Sequence, residues 1–214
     1  MCPPRPARPR PRSPDVSKGP YRPKDHYFRK AKQEGLRARS AFKIDEIAAR
    51  FSIFRKGQAV LDLGAAPGGF LQIIADQVGP NGSVVGIDLA AITPLGKPQV
   101  RTAVLDVLAQ DFDAQLDALH PGAFDVVVSD LAPKTSGIRS TDEARSLALA
   151  GVALSVSRRK GKPQGHFIAK LFMGGDFEKF RAELRALFDE VKVVRPEATR
   201  GASMEVYLVG LRRR

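Results

Sequence analysis

The segment VLDLGAAPGGF, at residues 60–70, restricts the fold of this 214-residue chain more than any other part of the sequence. It opens with an apolar run that is too short to form a helix of its own. Small residues follow from Gly64 until a helical pattern begins at Phe70. This order predicts a strand, a tight loop and a helix. In an open α/β sheet, ligands bind beyond the carboxyl ends of the strands, so a loop with few side chains there lets a ligand approach the backbone closely.

The residues around this loop indicate a ligand that contains adenosine. Asp88 ends the next apolar run, at about the distance expected for a carboxylate that binds a ribose. Gly64, Gly68 and Gly69 do not have the G-x-G-x-x-G spacing of a dinucleotide loop. Pro67 also removes one of the backbone N–H donors that a pyrophosphate needs. S-adenosylmethionine has no phosphate and fits better, whereas the alternative is a structural turn whose glycines serve only its backbone angles.

Composition excludes several classes of protein. With 43% hydrophobic residues, a chain of 214 residues can bury one sizeable core. No window approaches the roughly 20 apolar residues of a membrane span. Cys2 is the only cysteine and the three histidines are scattered, so the sequence offers no internal disulfide and no metal site. We therefore expect a metal-free monomer in a reducing compartment, the cytoplasm, without a membrane partner.

The net charge of +12 is concentrated ahead of the loop. Residues 1–24 carry seven lysines and arginines against one acidic residue, residues 25–56 carry nine against four, and residues 57–214 carry nineteen against eighteen. Eight of the sixteen prolines lie in residues 1–24, which predicts a disordered basic tail. Either this tail is a solvated leader or it contributes to binding a polyanion.

Residues 25–56 are predicted to form a basic, helical segment that binds RNA. One face of a predicted helix carries the apolar residues Phe42, Ile44, Ile47 and Phe51. Ser40 is its expected N-cap. Ahead of it lies a basic cluster interleaved with aromatic rings, formed by Tyr27, Phe28, Arg29, Lys30, Lys32, Arg37 and Arg39. Such a cluster is typical of a surface that binds a phosphate backbone, so the expected partner is RNA or a ribonucleoprotein.

Beyond residue 57, strands alternate with helices. Strands are predicted at residues 60–64, 83–88, 100–106, 124–130, 166–172, 191–195 and 205–211. Helices are predicted at residues 70–78, 111–119, 141–158 and 177–188. This alternation predicts an α/β fold with a doubly wound, mainly parallel sheet of seven strands. The link that contains Pro196 and Gly201 is too short for a crossover helix, so the last strand is predicted to be antiparallel.

Three charged residues are predicted to meet at the ligand-binding edge of this sheet. Asp130 ends the fourth strand, Lys170 lies near the end of the fifth, and Glu205 begins the antiparallel last strand at the same edge. Each residue alone has the alternative interpretation of a cap or a surface ion pair. Their convergence beside an adenosine-binding loop indicates a catalytic site.

Five short segments occur in a characteristic order: SAFK at residues 40–43, LDLGAAPGG at 61–69, SDLAP at 129–133, AKLF at 169–172 and MEVY at 204–207. In these segments, and over about residues 24–211, the chain resembles the FtsJ/RrmJ family of ribosomal RNA ribose 2'-O-methyltransferases. The chain departs from the family's usual residues at Phe70, at Lys134 and Thr135, and in the segment before Glu205, where only Arg200 is basic. The resemblance implies a Rossmann-like, S-adenosylmethionine-dependent methyltransferase fold.

The resemblance also implies roles for individual residues. The family's Lys-Asp-Lys-Glu tetrad falls on Lys43, Asp130, Lys170 and Glu205. Its methyl-donor contacts fall on Gly64, Ala65, Pro67, Gly68, Gly69, Phe70, Asp88, Asp106 and Asp130. Of these, Asp88 is expected at the ribose hydroxyls and Asp106 near the adenine amino group. The implied substrate is a uridine 2'-hydroxyl in the A-loop of large-subunit (23S) rRNA, within a ribosomal particle.

The chemistry of such a reaction is consistent with this tetrad. A ribose 2'-hydroxyl is a poor nucleophile at neutral pH, so its attack on a sulfonium methyl needs positioning and a group that accepts the proton or stabilises the alkoxide. A lysine can do this when a nearby cation and partial burial favour its neutral form, and carboxylates can orient it. We assign this role to Lys170, the orientation of Lys170 to Asp130, and substrate positioning to Lys43 and Glu205.

Three alternatives stay open on the sequence. An enzyme that methylates tRNA or another RNA at the 2'-oxygen would use the same residues. A non-catalytic RNA-binding or ribosome-assembly protein accounts for the basic segments but not for Asp130 and Lys170 beside the loop. A nicotinamide oxidoreductase shares the sheet, yet it needs a pyrophosphate-binding loop, which Pro67 and the glycine spacing disfavour.

Overall fold

The computed structural model describes residues 26–201 and 203–214, and within them seven strands form one sheet with helices on both faces. The strands are β1 (Ala59–Leu63), β2 (Ser83–Asp88), β3 (Val100–Val104), β4 (Phe124–Ser129), β5 (Gly161–Phe172), β6 (Phe188–Val194) and β7 (Glu205–Arg213). The helices are α1 (His26–Gln33), α2 (Ala41–Phe51), α3 (Gly69–Val78), α4 (Phe112–Leu119), α5 (Arg139–Lys160) and α6 (Phe177–Leu187). The predicted basic tail, residues 1–24, lies outside the described residues.

The sheet has the strand order β3-β2-β1-β4-β5-β7-β6. Strands β1 to β5 pair in parallel, and β7 is antiparallel to both β5 and β6. This confirms the predicted α/β fold, with its mainly parallel seven-stranded sheet and antiparallel last strand. Strand β1 pairs with β2 on one side and with β4 on the other, so the connections that leave β1 and β4 run towards opposite edges of the sheet. Such a reversal opens a crevice beyond the carboxyl ends of the strands.

Two hydrophobic clusters hold the helices against the sheet. One lies under α4, α5 and α6, and the other lies under α2 and α3. In the second cluster, Ile44 and Ile47 of α2 are fully buried together with Leu71 and Ile74 of α3. Burial of each such side chain stabilises the fold by about 1.5–3 kcal/mol. Helix α2 is therefore fixed over the sheet, while the proposed domain boundary at residue 56 stays a prediction.

The structure differs from the sequence prediction mainly at the ends of elements. Strand β5 begins at Gly161 rather than at residue 166, because Gly161 already pairs with Phe124 ahead of an irregularity in the β4–β5 register. Ser40 occupies the N-cap position of α2, but its side chain makes no capping hydrogen bond. Among the described helices, none is long and apolar enough to cross a membrane. The described residues also contain no group of three or more His, Cys, Asp or Glu side chains that could hold a metal ion.

Candidate active site

A cleft of about 450 Å³ opens at the carboxyl ends of β1, β2 and β4, where the strand order reverses. Its volume lies within the range of small-molecule binding sites. Among the residues that line it are Gly64, Ala66, Asp88, Asp106, Asp130 and Lys170. The cleft therefore brings together the loop that follows β1 and the carboxyl ends of four further strands, which carry two of the predicted catalytic side chains.

Gly64 allows the two walls of the cleft to approach each other. Its φ angle is +81°, and a Cβ atom there would lie 2.8 Å from the backbone nitrogen of Leu131 and 3.0 Å from the carbonyl carbon of Asp130. The Gly64 N–H donates to the carbonyl oxygen of Ile87 at 2.8 Å. The sequence analysis assigned the close approach at Gly64 to a ligand. In the structure, the loop that follows β4 makes this approach instead.

Two of the predicted donor-binding carboxylates are oriented by backbone N–H groups. Asp88 accepts hydrogen bonds from the N–H groups of Ala66 and Ala90, each at 2.9 Å. Asp106, at the exposed rim of the cleft, accepts one from the N–H of Leu108 at 2.9 Å. Ionised carboxylates are acceptors only, so both are suited to bind hydroxyl or amino groups of a ligand.

Five predicted donor contacts do not line the cleft, and they are Ala65, Pro67, Gly68, Gly69 and Phe70. Phe70 is only 3% exposed and packs in the hydrophobic cluster under α2 and α3, so its side chain supports the loop from behind. Pro67 is exposed on the outer side of the loop. Gly68 and Gly69 lie against the link between α1 and α2. A direct contact of these five residues with the donor stays a prediction.

The four predicted tetrad residues form two adjacent ion pairs. The Lys170 Nζ atom donates to the carbonyl oxygen of Asp130 at 2.6 Å and lies 3.1 Å from its Oδ1 atom. The Lys43 Nζ atom donates to Oε1 of Glu205. Both lysines are only 6% exposed. Residues from α2, β5, β7 and the end of β4 are thereby assembled into one polar cluster beside the cleft.

Strand register explains this assembly. Lys170 lies directly opposite Tyr207, and Phe172 lies opposite Glu205, in the antiparallel pair of β5 and β7. The parallel partner of β5 is β4, whose last residue Ser129 pairs with Ala169, so Asp130 is level with Lys170. Side chains alternate between the faces of a sheet, which places Lys170 on the face covered by α2. This is the face from which the side chain of Lys43 reaches Glu205.

Tyr207 joins the two ion pairs, and the sequence interpretation gave it no role. Its hydroxyl donates to Oδ1 of Asp130 at 2.7 Å, and the Lys43 Nζ atom lies 5.8 Å from its ring centroid. Burial, reinforced by the nearby Asp130, raises the pKa of Tyr207 well above its ordinary value of 10.0. The phenol therefore keeps its proton and holds the Asp130 carboxylate in place. The two-residue period of β7 was the available signal, since it places Tyr207 on the same face as Glu205.

Asp62 is a second residue that the sequence interpretation missed. It lies inside the apolar run of β1 and is fully buried. Within the described part of the chain, neither of its carboxyl oxygens has a hydrogen-bond partner. Burial, with smaller contributions from Asp130 and Asp88, raises the pKa of Asp62 well above 3.8. The signal in the sequence was the single carboxylate within a continuous apolar strand, which is a costly position for a charge.

We expect Asp62→Asn to increase stability at neutral pH and to have little effect at acidic pH. The folded protein binds this proton more tightly than the unfolded chain does, so stability is lost as the pH rises above 3.8 towards the raised pKa. An amide does not titrate and avoids that loss. Thermal unfolding of both proteins between acidic and neutral pH measures the difference.

A carboxylate with the opposite shift provides the control. The backbone N–H of Ser136 is the largest of the contacts that lower the pKa of Asp142. The stability that the ionised Asp142 contributes is present above pH 3.8 and is lost as the pH falls through the lowered pKa of this residue. Asp142→Asn is therefore expected to reduce stability at neutral pH. If the difference in thermal stability between Asp62→Asn and the wild type did not vary with pH, this result would contradict a raised pKa at Asp62.

Comparisons with known proteins find related sequences and similar folds. A family model described as FtsJ-like methyltransferase matches residues 36–213. The ribosomal RNA large subunit methyltransferase E of Myxococcus xanthus (strain DK1622) is 71% identical over 201 residues, which cover 94% of each chain. The protein of the same name from Bdellovibrio bacteriovorus is 47% identical over 193 residues, which cover 89% of this chain and 97% of that protein.

Solved structures are similar in fold. The crystal structure of a Plasmodium falciparum protein described as a ribosomal RNA methyltransferase superposes with a TM-score of 0.72 at 22% identity, covering 83% of this chain and 98% of that one. Aeropyrum pernix fibrillarin, solved with natively bound S-adenosyl-L-methionine, gives a TM-score of 0.59 at 15% identity, covering 80% and 76%. At these identities the likeness shows the fold alone.

Proposed function

The chain belongs to the FtsJ-like methyltransferase family, and on this premise we propose that it transfers a methyl group from S-adenosylmethionine to a ribose 2'-hydroxyl of large-subunit rRNA. One observation carries this proposal. Asp130 and Lys170 belong both to the lining of the cleft and to the polar cluster formed with Lys43 and Glu205. A donor in the cleft and an acceptor at the cluster would therefore meet at these two side chains.

The lining of the cleft fits S-adenosylmethionine, which supplies an electrophilic sulfonium methyl group when bound. Asp88 and Asp106 are placed to accept hydrogen bonds from hydroxyl and amino groups. Together with Asp130 they give the cleft three carboxylates. Such a lining favours a cationic sulfonium and disfavours the pyrophosphate of a dinucleotide, because like charges repel.

In this reaction the 2'-oxygen would bond to the methyl carbon and lose its proton, while the bond from that carbon to the donor sulfur breaks and S-adenosylhomocysteine leaves. An ammonium group has three N–H donors. One N–H of Lys170 donates to the backbone carbonyl oxygen of Asp130, and the Nζ atom also forms an ion pair with the Asp130 carboxylate. We assign a further N–H of Lys170 to the 2'-oxygen, where it stabilises the developing negative charge or, in the neutral amine, leaves a lone pair to accept the proton. Tyr207 and Asp130 hold Lys170 in this orientation.

The finer assignment of substrate is also a proposal. The names of the relatives support large-subunit rRNA as the substrate. From the family resemblance we propose further that the target is a uridine in the A-loop of 23S rRNA, methylated within a ribosomal particle by a cytoplasmic monomer. Residues 1–24 and 25–56 are proposed to bind RNA, and residues 57–214 to carry the chemistry. Exposed cations on α1, such as Arg29 and Lys32, support RNA binding by residues 25–56.

The proposed function predicts the loss of one modification in cells that lack this protein. Mapping of 2'-O-methyl groups across total RNA should show an unmethylated uridine in the A-loop, restored by expression of the wild-type chain. Calorimetry on the purified protein should show binding of S-adenosylhomocysteine and not of NAD. An unchanged A-loop with a lost site in tRNA would support the alternative substrate. Unchanged methylation everywhere, or equal binding of NAD, would contradict the proposal.

A further inference from the structure

Arg37 lies in the link between α1 and α2, and the sequence interpretation grouped it with the cations that contact RNA phosphates. In the structure its guanidinium donates to backbone carbonyl oxygens instead. The Nη1 atom donates to Pro67 at 3.2 Å and to Thr93, and the Nη2 atom donates to Pro94 at 2.8 Å. The Arg37 guanidinium is thus bound within the protein, whereas the exposed guanidinium of Arg29 on α1 makes no such bonds to other residues that the structure describes.

The three acceptors belong to two of the loops at the donor cleft. Pro67 is in the loop after β1, and the other two acceptors are in the loop after β2. On the inner side the same two loops are joined, because Asp88 accepts a hydrogen bond from the N–H of Ala66, and both residues line the cleft. Arg37 therefore joins the loops on their outer side, opposite the hydrogen bond that faces the ligand.

The two adjacent glycines of the motif make room for this link. A Cβ atom on Gly68, whose φ angle is +106°, would lie 2.9 Å from Nη1 and 3.3 Å from Cδ of Arg37. A Cβ atom on Gly69 would lie 3.1 Å from the Cβ atom of Ala38. Residues 37 and 38 therefore approach both glycines closely on the outer side of the loop, although the motif assigns these glycines to the donor.

Gln72 fixes the backbone of the link to α3. Its Oε1 atom accepts a hydrogen bond from the N–H of Arg37 at 2.8 Å, and its Nε2 atom donates to the carbonyl oxygen of Gly35 at 3.0 Å. The link then continues into α2, which carries Lys43. Arg37 is thus held at both ends, because Gln72 binds its backbone N–H and three carbonyl oxygens bind its guanidinium.

We infer that Arg37 is a positioning residue for donor binding: it fixes the spacing of the two cleft loops from outside and ties them to the segment that carries Lys43. This inference rests on the proposed function, since the donor is S-adenosylmethionine. A planar guanidinium can reach carbonyls on two loops at once, whereas the single ammonium of a lysine cannot reproduce that fork. The donor affinity of the protein thus depends on a residue that touches no part of the cleft lining.

Arg37→Lys tests this inference because it keeps the charge and removes the fork. We expect it to weaken the binding of S-adenosylhomocysteine, measured by calorimetry without RNA, by roughly tenfold, as several hydrogen bonds are lost. The salt dependence of binding to a large-subunit rRNA transcript should not change. Gly68→Ala should weaken S-adenosylhomocysteine binding in the same way, because it displaces the guanidinium while leaving Arg37 in the sequence.

Arg29→Ala is the matched control on the exposed face of α1. It should lower the slope of log affinity against log salt for the rRNA transcript by about one unit and leave S-adenosylhomocysteine binding unchanged. Wild-type S-adenosylhomocysteine affinity in Arg37→Lys would overturn the inference. If thermal unfolding shows that Arg37→Lys does not fold, Gly68→Ala decides, and wild-type affinity there overturns it equally. Failure of the wild-type protein to bind S-adenosylhomocysteine would instead refute the proposed function.

Discussion

Replacement of Lys170 by alanine is expected to lower the single-turnover rate of methyl transfer by on the order of a hundredfold or more, with little change in affinity for S-adenosylmethionine. Lys170 lines the cleft, where it donates one hydrogen bond to the carbonyl oxygen of Asp130 and forms an ion pair with the carboxylate of that residue. The charge that a further N–H of Lys170 would stabilise develops on the 2'-oxygen only as that atom loses its proton. The contribution therefore belongs to the transition state, and rates at saturating donor and rRNA measure it.

Lys160→Ala is a suitable control for the loss of a partly buried ion pair. The Lys160 Nζ atom lies 2.6 Å from Oδ1 of Asp117, and the side chain is 15% exposed. This pair is at the end of α5 where β5 begins, away from the cleft. The control variant should methylate at the wild-type rate. A near-wild-type rate in Lys170→Ala, with thermal unfolding unchanged, would contradict the assignment of Lys170.

The variant Lys170→Arg separates the two roles that the sequence left open. A guanidinium keeps the positive charge but does not give up a proton near neutral pH. If Lys170 accepts the proton, the arginine variant should be as slow as the alanine variant. If Lys170 is a fixed charge that stabilises the alkoxide, the arginine variant should retain substantial activity. The hydrogen bond that Lys170 donates to the carbonyl oxygen of Asp130 favours the second role, because it holds the group as a donor, and the ion pair with the Asp130 carboxylate acts in the same direction.

Substitution of Gly64 by alanine is expected to weaken S-adenosylmethionine binding by roughly tenfold or more and to lower the melting temperature. The left-handed backbone at Gly64 costs an L-residue about 1–2 kcal/mol. The added methyl group would also lie 2.8 Å from the backbone nitrogen of Leu131, which must move. Since Leu131 lines the cleft, its displacement alters the wall itself. Calorimetry and thermal unfolding measure the two effects.

Gly57→Ala is a control that isolates the effect of the contact between the methyl group added at Gly64 and Leu131. Gly57 has a φ angle of +82°, almost the same as Gly64, but nothing lies within 4 Å of the Cβ position. The control variant should therefore show the conformational cost without the displacement, and its donor affinity should stay at the wild-type level. If Gly64→Ala lost no more affinity than Gly57→Ala, the close approach of the loops after β1 and β4 would not matter for donor binding.

Much of the sheet could be predicted from the sequence because strand order and loop type leave local signals. Apolar runs of strand length separated by helical patterns predicted seven strands, and the short link before Glu205 predicted the antiparallel last strand. The ends of elements were less accurate, as the early start of β5 at Gly161 shows. Pairing with a neighbouring strand decided that end, and the pairing partner is distant in sequence.

The residues of the candidate site also fall into two groups, those that local sequence patterns could place and those that they could not. Asp88, Asp106, Asp130 and Lys170 line the cleft because each lies at or near the carboxyl end of a parallel strand, and these ends meet at one edge of the sheet. Lys43 was assigned only through the family resemblance, since no local pattern shows that α2 packs over β5 and β7. Tyr207 and Asp62 gained their significance only when residues far apart in sequence enclosed them.

The sequence by itself determined which residues lie at the ligand-binding edge, because periodicity and chain order are enough to place strand ends. Only the tertiary structure decided what each glycine and cation contacts. Gly68 and Gly69 proved to accommodate residues 37 and 38, and Arg37 proved to bind backbone carbonyls rather than lie open to a phosphate. The physical reason is that a residue type states what a side chain can bind, whereas packing between distant segments determines which partner comes within hydrogen-bonding distance.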